Sequence, residues 1–120
     1  MLEPFEPRVL GDKPWGTELL VAHTPLYTGK VLFMNAGGTG KLQYHVEKDE
    51  TFYLFEGYAI VETLNEAGEK VQTRMLPGQS YHVPPGTVHR VEAVTSCIFF
   101  EASTPAFDDR VVVEDGSPAR

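Results

Sequence analysis

Glycine and proline punctuate this chain so often that no long regular segment survives. Gly11, Pro14-Trp15-Gly16, Pro25, Gly29, Gly37-Gly38, Gly40, Gly57, Asn65 to Gly68, Pro77-Gly78 and Pro84-Pro85-Gly86 all interrupt it. The stretches between them are short and rich in Val, Ile, Leu, Phe, Tyr and Thr, residues that suit a pleated, half-buried surface. Turns about 8–12 residues apart are the signature of an all-β sandwich or barrel. No window of helical length carries a 3.6-residue apolar period. The expected strands are 17–22, 30–36, 40–46, 51–56, 58–64, 70–75, 80–83, 88–94, 96–102 and 110–113. The fifth and sixth form a hairpin around Asn65 to Gly68. The Pro-rich start, about a dozen residues, and the Gly116-Ser117-Pro118 tail are expected to be loose or to dock at an edge.

A chain of 120 residues suits one domain with one hydrophobic core. Its formal net charge of -7 argues against a nucleic-acid or anionic-membrane surface, since either needs a basic face. Cys97 is the single cysteine and sits in the apolar run Cys97-Ile98-Phe99-Phe100, so it reads as a small buried residue. The N-terminal residues lack the basic and apolar pattern of a signal sequence. No apolar stretch approaches the roughly 20 residues of a membrane helix. The expected location is a reducing cytoplasm.

Gln43, His45, Glu50 and His89 carry the chemistry. Strand side chains alternate faces, so Gln43 and His45 share one face. Glu47-Lys48-Asp49 reads as a solvated turn, and antiparallel pairing of 40–46 with 51–56 would return Glu50 beside His45. His89 follows the turn forced by Pro84-Pro85-Gly86. Two imidazoles, a carboxylate and an amide oxygen make a shell for a divalent ion.

These intervals resemble the cupin superfamily. Its first motif has Gly, five residues, His, one residue, His, three or four residues, Glu, six residues, Gly. Gly37, Gln43, His45, Glu50 and Gly57 keep every interval, with Gln43 in the first His position. In the second motif Gly78, Pro84, Gly86 and His89 match, and Ala93 replaces an Asn. The resemblance implies a double-stranded β-helix, or jelly-roll barrel, with a metal inside.

Leu42-Gln43-Tyr44-His45 followed by Glu50 is similar to the metal segment of type II phosphomannose isomerases. That likeness implies zinc as the first expectation, with manganese, iron or nickel as other candidates. Pro14-Trp15-Gly16, His89-Arg90-Val91-Glu92, Glu101-Ala102-Ser103-Thr104, Asp108-Asp109 and Glu114-Asp115 extend that likeness over roughly residues 13 to 116. Where that family has a closing-segment Arg for substrate phosphate or catalysis, Val112 stands here, and the nearest is Arg110.

The resemblance implies a metal-dependent isomerase or epimerase acting on a sugar or sugar phosphate. Glu101, Glu50 in a second role, or His82 would carry the proton, and Lys41 and Arg110 would meet an anionic group. Trp15 and Tyr44 could stack on a sugar face, although Tyr44 alternates away from Gln43 and His45. His82 otherwise reads as surface and His23 as loop. The rival readings are an iron-dependent dioxygenase and a non-catalytic sugar- or metabolite-binding module. The aromatic residues Phe52, Tyr53, Phe55, Phe99 and Phe100 are assigned to the core and to a homodimer interface.

Overall fold

The computed structural model describes residues 2–105 and 109–114. Eleven strands form: β1 (Arg8–Lys13), β2 (Gly16–His23), β3 (Thr28–Met34), β4 (Leu42–His45), β5 (Glu50–Glu56), β6 (Ala59–Leu64), β7 (Lys70–Met75), β8 (Ser80–Val83), β9 (His89–Ala93), β10 (Cys97–Ser103) and β11 (Arg110–Glu114). They make a six-stranded sheet, in order β1-β2-β3-β10-β5-β8, and a five-stranded sheet, in order β11-β4-β9-β6-β7. Every pairing is antiparallel. This is the all-β fold expected from the turn spacing, in the jelly-roll form that the cupin resemblance implies. Among the described residues no helix is long and apolar enough to cross a membrane.

Arg8–Lys13, at the end of the segment expected to be loose or at an edge, pairs with β2 as the edge strand of the six-stranded sheet. The Gly116-Ser117-Pro118 tail, Asp108 and Asp115 lie outside the described residues. The β6–β7 hairpin forms as expected, with Gly68 N–H donating to the Asn65 carbonyl across its turn.

One expected pairing fails. β4 lies in the five-stranded sheet, between β11 and β9, whereas β5 lies in the six-stranded sheet, between β10 and β8. Residues 46–49 are therefore not a hairpin turn but a corner that carries the chain from one sheet to the other. Glu50 still reaches His45, because the two sheets face each other across the interior.

Alternation packs the inner faces. Leu32, Met34, Phe52, Leu54, Ala59, Val61, Met75, Val83, Ala93, Cys97 and Phe99 form one buried cluster between the sheets. Cys97 is buried there, and burial pushes its thiol up. Ala93 is fully buried, which suits a small side chain. Gly57 is required by the backbone: its φ is +105°, and a Cβ would lie 2.3 Å from the Ser96 carbonyl oxygen.

Candidate metal centre

Three strands and one corner build the site. His45 ends β4 and points inward, and Gln43, two residues earlier, lies opposite His89 in the β4–β9 pairing. His89 opens β9 after the Pro84-Pro85-Gly86 turn. Gly86 sits at φ +79°, and its N–H donates to the His45 carbonyl at 2.7 Å. That bond ties the turn to the end of β4, so the two histidines start from one place. Glu50 opens β5 on the facing sheet.

The donors converge. Glu50 Oε2 lies 3.4 Å from His45 Nε2 and 3.2 Å from His89 Nε2. One donor atom from each residue falls within 4.8 Å of the others, and all three residues are buried. The imidazole centroids are 6.0 Å apart, and Phe52 packs 6.1 Å from His89.

The outer nitrogens settle the tautomers. His89 Nδ1 donates to the Thr87 carbonyl at 2.9 Å, and His45 Nδ1 donates to Asp109 Oδ1 at 3.0 Å. Neither acceptor carries a hydrogen, so both protons of the neutral rings belong on Nδ1. Both Nε2 lone pairs then face Glu50 Oε2, which is buried without a hydrogen-bond partner. Three electron-rich atoms aimed at one point need a positive species between them. This donor set fits a divalent ion, with outer hydrogen bonds of the kind that orient metal-bound histidines. The group can therefore hold a metal, and the chemistry of the donors does not choose among ions.

Lys48 was expected in solvent and is buried instead. It enters the interior from the corner, with Nζ 3.2 Å from Glu50 Oε1 and 2.8 Å from Glu101 Oε2. Strand alternation says nothing about a residue inside a corner, so this placement has no sequence signal of that kind. Asp109 forms the clamp: its Oδ2 accepts the backbone N–H groups of Glu47 and Lys48, both at 2.7 Å. Asp109 entered the sequence reading only as part of a closing-segment likeness, since 64 residues separate it from His45.

Electrostatics follow from this crowding. Burial pushes Glu50 up, but in the metal-free protein the adjacent His45 and His89 imidazoles, when protonated, and the charge of Lys48 outweigh it, leaving its carboxyl far below the usual range. Burial pulls the His45 imidazole down, and Glu50 and Asp109 reverse that to raise it. Glu101 is raised by burial and by nearby Glu50, against Lys48 and Lys30. Lys30, paired with Glu18 at 3.6 Å, continues the buried charge.

The remaining expected residues divide. Gln43, Glu101, Arg110, Lys41 and Trp15 line the same cavity of about 610 Å³ as the three donors. Arg110 lies directly across from His45 in the β11–β4 pairing, and Val112 across from Gln43. Tyr44 does not line the cavity. His82 is half exposed and pairs with Asp49 at 2.6 Å, away from the cavity lining. It is removed as a proton carrier. His23 ends β2 rather than lying in a loop, and its Nδ1 meets Thr28 Oγ1 at 3.2 Å.

A jelly roll with a His–Glu–His group between its sheets defines a metal-site barrel of the cupin type. Residues 30–102 match the Cupin domain family, and the chain belongs to that family. No curated protein matches the sequence. Among solved structures, KdgF from Halomonas sp. is similar at 26% identity and TM-score 0.72, over 85% of this chain and 89% of that one. An RmlC-like cupin from Shewanella frigidimarina has 19% identity and TM-score 0.74, over 87% and 88% of the two chains. The capsular polysaccharide assembling protein CapF from Staphylococcus aureus has 18% identity and TM-score 0.81, over 92% of this chain and 33% of that one.

Proposed function

We propose that this cupin is a metal-dependent isomerase or epimerase acting on a sugar or sugar phosphate, with zinc as the resident ion. The observation that carries the reading is the buried Glu101 carboxyl held beside the His45–Glu50–His89 group in one cavity. Gln43 supplies the fourth donor, from its place opposite His89. A bound divalent ion would polarise a substrate carbonyl as a Lewis acid. Glu101 carries a proton between adjacent carbons of the substrate; its raised pKa makes it a stronger base than an ordinary carboxylate. Trp15 at the cavity wall offers an apolar face to the sugar ring.

The charge distribution supports an anionic substrate. Among the described residues, six lysines and arginines line the cavity but only three acidic residues. Lys41 and Arg110 would hold a phosphate, and with that group the reaction takes the mannose-6-phosphate isomerase form. Zinc-loaded protein should interconvert an aldose phosphate and its ketose, read by NMR. Glu101→Gln should abolish turnover while zinc content stays unchanged, and full turnover in that variant removes Glu101 from the mechanism. Tight saccharide binding with no turnover in the wild type would identify a binding module instead.

Two imidazoles and one carboxylate are also the donor set of non-haem iron oxygenases, which supports the dioxygenase reading. Iron in protein purified without added metal, with oxygen uptake, would establish that alternative over the first.

The outer face of the six-stranded sheet supports a homodimer, which we propose acts in the cytoplasm. Phe33, Tyr53, Phe55 and Phe100 are exposed on adjacent strands there, an apolar patch that favours association. Light scattering that shows a monomer at micromolar concentration refutes the dimer.

A further inference from the structure

We propose that Lys48 is a positioning residue that fixes Glu50 as a one-oxygen metal ligand, keeping a coordination position open for substrate. The inference rests on the metal-site reading above and goes beyond it to how the carboxylate binds.

The two oxygens of Glu50 have different neighbours. Oε2 faces both imidazole Nε2 atoms, at 3.4 and 3.2 Å. Oε1 faces the Lys48 ammonium at 3.2 Å. A carboxylate can grip a cation through one oxygen or through both. Here the second oxygen is held by a fixed positive charge, so chelation by both would require Lys48 to let go.

Lys48 is not free to do so. Its side chain is 7% exposed, a rare state for lysine unless it is paired. Glu101 Oε2 holds the same ammonium at 2.8 Å. Asp109 pins the Lys48 backbone N–H at 2.7 Å, which sets the direction in which the side chain leaves the corner. Held at both ends, Lys48 restrains Glu50 Oε1 while Oε2 remains aimed at the histidines. With Gln43, His45, His89 and one Glu50 oxygen as donors, zinc can still expand to a fifth position for substrate, and a chelating Glu50 would occupy it.

The test compares zinc-loaded wild type with Lys48→Met, using elemental analysis, zinc X-ray absorption and crystal structures. In the wild type one Glu50 oxygen should bind the ion at about 2.0–2.2 Å, with the other remaining on Lys48. Lys48→Met should raise the coordination number by one as Glu50 closes onto the ion with both oxygens. Lys48→Arg should restore the wild-type spectrum, which mere neutralisation of buried charge does not require. Where Lys48→Met fails to fold, Lys48→Met combined with Glu101→Gln relieves the carboxylate repulsion and gives the same readout. Zinc bound with identical coordination in both proteins, or a chelating Glu50 in the wild type, overturns the proposal and leaves the metal site standing. A wild type that takes up no divalent ion overturns both.

Discussion

Three strands run through two unlike halves of one interior. On the inner face of β10, Cys97 and Phe99 give way to Glu101 and Ser103; on β3, Met34 and Leu32 give way to Lys30 and Thr28; on β5, Leu54 and Phe52 give way to Glu50. The change is in register between β10 and β3 and falls one pair later on β5. Phe99 lies opposite Leu32 and Leu54, Glu101 opposite Lys30 and Phe52, and Ser103 opposite Thr28 and Glu50. The apolar half stabilises the fold by removing hydrocarbon from water. The polar half is equally buried, and burial of its charges opposes folding unless each is paired. Strand alternation thus fixes which side chains face inward, and the strand end decides whether the interior is a core or a site.

Breaking the apolar half should have the largest effect. Phe99→Ala should lower unfolding stability by about 3–5 kcal/mol in a denaturant titration. Replacing the whole buried ionic triad should act in the opposite direction. Lys48→Met with Glu50→Leu and Glu101→Met should stabilise the metal-free protein by about 1–4 kcal/mol, because apolar packing replaces three desolvated charges. A lower midpoint would show that the triad contributes net stability.

Asp109→Asn should leave the fold intact and weaken zinc binding about 10–100-fold, measured by competition with a chelator. Unchanged affinity would mean that the His45 ring needs no support from Asp109.

The smallest effect is pH dependence. His45 is raised above its ordinary value in the metal-free protein. Its proton therefore stabilises the fold fully below pH 6.5, and that increment is lost as pH rises through the folded pKa. Phe99→Ala should keep the wild-type slope over that range, and His45→Gln should flatten it. Equal slopes in all three proteins would place the titration elsewhere.

Much of this was legible in the residues. Turn spacing locates the strands, and Lys70–Met75 and Ser80–Val83 fall at the expected bounds. Arg8–Lys13 was read only as a loose or edge segment, because exposed edge residues leave no inward apolar period. His45, Glu50 and His89 converge as their intervals imply, but not by the pairing expected of them, since β4 and β5 belong to different sheets. Lys48 and Asp109 stayed hidden for separate reasons. A corner has no face to alternate between, and a partner 61 residues away is set by the closed barrel rather than by local spacing.

The Asp109 clamp also dates the site within the life of the chain. During synthesis His45, Glu50 and His89 leave the ribosome before Asp109 does, so an emerging chain has its ligands but not the brace that orients one of them. A metal site in its final geometry would thus wait for β11 to pair with β4.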